Sequence, residues 1–238
     1  IEIREAIEQS CNYYFNMVGF KLGQDENGDF SENRSLTVLQ KYASEIGLDK
    51  KTGIELTESS PQVSNAYAVP SYIGQGTNAY TTSQLARYAT TIATSGTVYD
   101  LTLLDRQTDS KGSVLKEYEP NVINTMDVSQ NVWDDIHDGM YRVVQTHKQF
   151  DGLGVQVAGK TGTAEVDGVY HPNHGMFIGY APATDPQYAI AVRIENGYSS
   201  GNACLAADDI FKYIFQLADE QTILTGVAAS DTSDTSND

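Results

Sequence analysis

The apolar residues of the chain change their dominant period near Gly152. Before that point they recur every three to four residues, the spacing of one face of a helix; after it they alternate, the spacing of one face of a strand. Ile3, Ala6 and Ile7 open a helical pattern with no Ser, Thr, Asp or Asn ahead to cap it, which implies a chain cut inside a domain. Tyr13, Tyr14, Phe15, Met17 and Val18 resume the pattern, which stops near Gly19 and Gly23, and a polar loop runs from Gln24 to Arg34. Leu36, Leu39, Tyr42, Ala43 and Ile46 form a second stripe closed by Gly47. Thr81 and Gln84 make a capping box ahead of Leu85, Ala89, Ile92 and Ala93, and Ser129 is the expected cap of Val132, Ile136, Met140, Val143 and Val144.

After Gly152 come Val155 and Val157, then Met176, Ile178 and Tyr180, then Ala189, Ala191 and Arg193: three strands of one sheet, closed by an amphipathic helix from Ala203 to Leu217. The strand of Phe177 and Ile178 is expected to lie between the strand of Lys160 and that of Ile190 and Val192. Helices first, then strands, then one covering helix is an α+β order. A mostly helical lobe over residues 1–150 stands beside an antiparallel sheet and closing helix over 151–227, and 228–238 is too polar to fold, a disordered acidic tail. The irregular stretch 49–78 is long enough to carry function. Within 97–129 the turn at Ser110, Lys111 and Gly112 predicts one small hairpin.

Charge removes whole classes of function. Against 15 Lys and Arg stand 32 Asp and Glu, a net −17, which argues strongly against a nucleic-acid partner and disfavours an anionic membrane surface. No run approaches the ~18 apolar residues of a membrane span. Cys11 and Cys204 are too few for a disulfide framework or a zinc site.

The sharpest local signal is Lys160-Thr161-Gly162-Thr163, inside VAGKTGTAEV. An ammonium and two hydroxyls beside a strand edge can hold a carboxylate, and Gly162 lets a substrate backbone lie against that edge as an added strand. On a strand Lys160 and Gly162 share one face and Thr161 and Thr163 the other, unless twist brings them together. A phosphate loop is excluded, since its glycine lies further upstream and its lysine leads directly into a helix.

K-T-G has a usual companion, S-x-N, in serine acyl-transfer enzymes. The pattern occurs at Ser10-Cys11-Asn12, Ser31-Glu32-Asn33, Ser129-Gln130-Asn131 and Ser200-Gly201-Asn202. The last follows K-T-G-T, Ser31 lies in a charged loop, and Ser129 is a helix cap. Only Ser10 and Asn12 sit at a corner between helices, packed by Tyr13, Tyr14 and Phe15, although ordinary cap-and-turn chemistry also accounts for them.

With AIEQSCNYYFNMVG, YIGQGTNAYTTSQLARYATTIATSG, and VAGKTGTAEV followed by FIGYAP, the chain resembles the class B penicillin-binding proteins, peptidoglycan D,D-transpeptidases, from about residue 1 to about residue 217. The resemblance implies the penicillin-binding fold and no cofactor or metal. Ser10 would relay a proton toward the leaving amine, Asn12 would hold the acyl-donor amide, and Lys160 would raise the local positive potential. Thr161 and Thr163 would take the terminal carboxylate of a D-Ala-D-Ala stem peptide or of a β-lactam, with the Thr163 N–H in the oxyanion hole. Gly74, Gln75 and Gly76 are read as shaping the site. The family acts outside the cytoplasmic membrane from an upstream anchor, and the expected partners are the stem peptide, β-lactams and the missing N-terminal part of this same domain.

The family's nucleophile is the serine of an S-x-x-K motif that precedes S-x-N. Ser113-Val114-Leu115-Lys116 is the one S-x-x-K in the chain, follows S-x-N, and lies in the predicted hairpin, where serine and lysine cannot stack one helical turn apart. Ser113 is therefore read as a decoy, and this chain alone as inactive. A β-lactam-sensing receptor domain and a non-catalytic fragment are the alternative functions. His171 and His174 have the spacing of half a zinc site but no third ligand, so surface histidines are expected. Cys11 is expected to point into the helical core.

Overall fold

The structure is a computed structural model that describes residues 1–164 and 172–224, so His171 and the 228–238 tail lie outside the described residues. In chain order the helices are α1 (Ile3–Glu8), α2 (Asn12–Leu22), α3 (Glu32–Glu45), the single turn α4 (Ala68–Ser71), α5 (Thr82–Ala93), α6 (Gln130–Gln145), α7 (Ser200–Ile214) and α8 (Glu220–Ile223). The strands are β1 (Thr97–Tyr99), β2 (Arg106–Thr108), β3 (Val114–Glu117), β4 (Val122–Thr125), β5 (Ala158–Ala164), β6 (His174–Ala181) and β7 (Tyr188–Ile194). Two compact units result: Ile1–Phe15 with the chain from Ser129 onward, and Asn16–Val128.

In the first unit β5, β6 and β7 form the expected antiparallel meander, in the order β5-β6-β7. The register sets Lys160 beside Ile178 and Ala191, and Thr161 beside Phe177 and Val192. Residues aligned this way share a face, so Phe177, Ile190, Val192 and Ile194 turn together toward α7. Phe177, Ala203, Cys204, Ala207 and Phe211 are fully buried there, and Phe150, Leu153, Val157 and Ala181 complete the core. The Phe177 ring occupies the space that a Cβ would need at Gly159 and Gly179, at 2.3 and 2.7 Å from it. The strand begins at Ala158, later than Val155 and Val157 suggested, because the chain is still turning through Gly152 and Gly154, both at positive φ. Val157 reaches the core from that turn.

On the opposite side of this unit, α1 packs on α6, and α6 on β5. The start of α1 is not bare as expected: the Glu5 carboxylate folds back to accept the Glu2 N–H at 3.1 Å. Ser129 occupies the N-cap of α6, but its hydroxyl makes no capping bond.

In the second unit, α5 carries the expected capping box, with the Thr81 N–H donating to Gln84 Oε1 at 2.9 Å and the Gln84 N–H to Thr81 Oγ1 at 3.2 Å. Arg87, buried on α5, donates to the carbonyls of Gly47, Lys50 and Lys51 and so ties down the end of α3 and the chain beyond it. Burial would raise the Glu58 carboxyl, but hydrogen bonds from Ser83, the Thr52 N–H and the Thr81 and Thr52 hydroxyls hold it below the usual carboxylate range.

Local expectations are corrected at three places. α3 begins at Glu32, ahead of its apolar stripe, because the Ser31 hydroxyl, assigned to a loop, caps it by accepting the Arg34 N–H at 3.4 Å. α2 runs through Gly19, where a stop was expected, and the Tyr72 ring fills the space of the missing Cβ at 2.5 Å. The excursion of 97–129 is two nested ribbons, β1 with β4 and β2 with β3, instead of one hairpin.

Candidate functional site

Ser10 closes α1 in a Schellman motif, with the Cys11 N–H donating to the Ala6 carbonyl at 2.9 Å and the Ser10 N–H to the Ile7 carbonyl at 3.2 Å. The motif requires a left-handed residue, and Ser10 supplies it at φ 50°, where glycine is the usual occupant. A side chain held there stores strain of about 1 kcal/mol, a cost that recurs at functional positions. Asn12 is the first residue of α2 and is exposed; Tyr14 and Phe15 meet edge to face at 5.2 Å, whereas Tyr13, expected to pack the corner, is exposed. Cys11 is half-buried, so the expectation of a core cysteine is not met, and Cys204 is fully buried.

The strain at Ser10 has a measurable signature. Ser10→Gly and Ser10→Ala both lose the hydroxyl, but only glycine relieves the left-handed backbone, so chemical denaturation should find the glycine variant more stable by about 1 kcal/mol. Equal stabilities would mean that the corner is not left-handed in solution.

Across 150 residues of sequence, the Lys160 ammonium donates to Ser10 Oγ at 2.9 Å. It also donates to the Thr161 carbonyl at 3.0 Å and lies 3.5 Å from Thr161 Oγ1. Lys160 and Thr161 point to opposite faces of β5 by register, yet the long lysine side chain bends along the strand so that both hydroxyls meet one cation. The four residues Lys160, Thr161, Gly162 and Thr163 are half-buried, a setting in which charge is screened less than at an open surface.

Gly162 differs from the glycines around it. A Cβ at Gly175 would lie 2.3 Å from the Ser199 carbonyl oxygen, and one at Gly159 would enter the Phe177 ring, so packing demands both. At Gly162 the nearest atom would be Met176 Cβ at 3.6 Å, an ordinary contact, and φ is not left-handed. Among the described residues nothing demands glycine there, whereas approach of another backbone would. Among the described residues β5 pairs with β6 and is an edge strand of its sheet.

Gly74, Gln75 and Gly76 belong to the second unit. Gly74 and Gly76 have φ of 85° and 75°; the space beside Gly76 is filled by the Ser71 and Ser64 hydroxyls, whereas a Cβ at Gly74 would meet nothing within 4 Å among the described residues. The Gln75 N–H donates to the Pro70 carbonyl at 3.2 Å.

The competing motifs have local explanations. Asn202 donates to the Gly197 carbonyl at 2.8 Å, at the start of α7. Ser113 lies in the β2–β3 turn, where its N–H donates to Asp109 Oδ1 at 2.9 Å, and the Lys116 ammonium sits 4.1 Å over the Tyr118 ring. Three residues apart on extended chain, Ser113 and Lys116 face opposite ways. His174 Nδ1 accepts the Asn196 N–H at 3.1 Å, and among the described residues no cluster of three metal-ligating side chains occurs.

Sequence reasoning missed the seam between α1 and α6. Arg4 Nε donates to Asp135 Oδ1 at 2.6 Å, and Arg142 lies 2.9 Å from Asp138 and 3.7 Å from Glu8. Only the Asp138–Arg142 pair, one turn apart on α6, leaves a local signal.

The family described as the penicillin binding protein transpeptidase domain matches residues 1–216. The chain is 31% identical over 214 residues to penicillin-binding protein 2B of Streptococcus pneumoniae, covering 79% of this chain and 31% of that protein. To the peptidoglycan D,D-transpeptidase PbpA of Mycolicibacterium smegmatis it is 32% identical over 205 residues, covering 83% of this chain and 39% of that protein. The chain thus spans between three and four tenths of the length of these relatives. Among solved structures, a ceftriaxone acyl-enzyme complex of penicillin-binding protein A from M. tuberculosis superposes with a TM-score of 0.74 at 27% identity, covering 90% of this chain and 48% of that one.

Proposed function

We propose, on the premise that the chain belongs to the class B penicillin-binding protein transpeptidase family, that it carries the substrate-holding part of a site that cross-links peptidoglycan stem peptides. The observation that carries this reading is the 2.9 Å bond between Lys160 and Ser10, which joins the S-x-N corner to the K-T-G-T strand. In the proposed reaction a stem peptide ending in D-Ala-D-Ala lies along the edge of β5 opposite β6, against Gly162. Its terminal carboxylate accepts from the Thr161 and Thr163 hydroxyls, beside the Lys160 ammonium. The Asn12 amide holds the donor's backbone, and the Thr163 N–H is one donor to the developing oxyanion.

The attacking serine comes from an S-x-x-K segment outside this chain, since Ser113 sits in a hairpin turn. That serine forms an ester with the penultimate residue. The terminal D-Ala leaves as an amine once it has gained a proton through Ser10, and an amine of a second stem peptide then attacks the ester. A β-lactam enters as a mimic of D-Ala-D-Ala and stops at the ester. Residues 1–227 form part of one transpeptidase domain in this proposal, Gly74, Gln75 and Gly76 shape the site, and the protein works on the outer face of the cytoplasmic membrane. The test is release of D-alanine from a D-Ala-D-Ala-terminated pentapeptide by the longer protein containing this domain. Release that disappears on Ser10→Ala supports the reading; no release from the unaltered protein refutes it.

A further inference from the structure

We propose that Gly139, on the face of α6 turned to α1, is a positioning residue that sets the distance between Ser10 and Lys160. This rests on the functional reading above and adds to it a residue far from the motifs. α1 is a single six-residue helix, too short to hold its own place, so the position of the Ser10 corner is set by what α1 lies on. It lies on α6 at Gly139. A Cβ there would sit 2.9 Å from Ile7 Cβ, 3.1 Å from Ile7 Cδ1 and 3.2 Å from the Arg4 carbonyl oxygen. Two of those three atoms belong to Ile7, whose carbonyl receives the Ser10 N–H. The contact that brings the helices together is thus one hydrogen bond from the residue that meets Lys160.

Glycine within a helix is unfavourable, and alanine at this position would be the better helix former. Its presence on a buried face of α6 therefore reflects the close approach and not the helix. The seam closes around it: Arg4 with Asp135 and Asp138 lies at one end of α1, and Glu8 with Arg142 at the other. Because α6 packs on β5, which carries Lys160, α6 is the common support of both halves of the site. Alanine at Gly139 would have to lift α1 by about half an ångström or more to restore an ordinary contact. A bond of 2.9 Å then stretches toward or past the limit of hydrogen bonding.

The experiment compares the longer protein with its Gly139→Ala variant and with the swap Ile7→Gly/Gly139→Ala, which removes the side chain that the new methyl would meet. Crystal structures should show the Lys160 Nζ to Ser10 Oγ distance longer than 2.9 Å by about half an ångström in Gly139→Ala and restored in the swap. Acylation by a labelled penicillin should fall about 10- to 100-fold in Gly139→Ala, with the melting temperature nearly unchanged, and recover in the swap. An unchanged distance in Gly139→Ala overturns the proposal, as does a lost rate that follows a lost melting temperature and is not rescued by the swap. If the unaltered protein takes no penicillin, the functional reading fails, and the distances still decide whether Gly139 positions Ser10.

Discussion

Lys160→Ala in the longer protein should slow acylation by penicillin about 10³-fold and leave the fold intact. The ammonium lies against both Ser10 and Thr161, so its loss removes a cation from the proposed carboxylate site and a partner from the proposed proton relay in one step. Lys160→Arg separates the two contributions. It keeps the charge but replaces a compact ammonium by a planar fork that cannot reproduce the geometry, so it should recover only part of the rate. Stopped-flow acylation with circular dichroism as a fold control measures both. A fall of less than fivefold in Lys160→Ala would mean that the cation serves β5 and not the chemistry.

The largest effect on stability is expected at Phe177. Its ring is fully buried, meets Phe150 with centroids 5.2 Å apart, and occupies the space beside Gly159 and Gly179. Phe177→Ala should therefore cost about 3–5 kcal/mol in chemical denaturation, the range for a buried aromatic whose surroundings cannot collapse. Backbone closes the cavity on the strand side, because the glycines have no side chain with which to follow. The same residue pairs with Thr161, so the loss would loosen the strand that carries the site. A cost below about 1 kcal/mol would show that α7 does not seal this face.

Where a structural element repeats its own period, the sequence was legible. The alternation after Gly152 sufficed for the meander, its strand order and the helix that covers it, and Thr81 with Gln84 marked the start of α5 to the residue. Motif chemistry likewise paired Ser10 with Lys160 across a separation that no local period spans. Illegible features were those decided by contact between distant segments. Gly19 looked like a stop because nothing nearby announces the Tyr72 ring that packs on it. Ser31 looked like loop because its helix opens with polar residues ahead of the apolar stripe. β1 and β4 are strands of only a few residues, paired through a register irregularity and separated by the inner ribbon, and alternation over so few residues is no signal. The Gly139 seam is of the same kind: a glycine in a helix reads as a local defect until the helix that crosses it is known.

In the proposed function this chain holds and polarises the substrate while another segment supplies the nucleophile. Mass spectrometry after incubation with a β-lactam tests it directly, on this chain by itself and on the longer protein that contains it. No covalent adduct is expected on this chain and one stoichiometric adduct on the longer protein, mapped to the serine of an S-x-x-K motif ahead of Ser10. A stoichiometric adduct on this chain by itself, above all one mapped to Ser113, would contradict it.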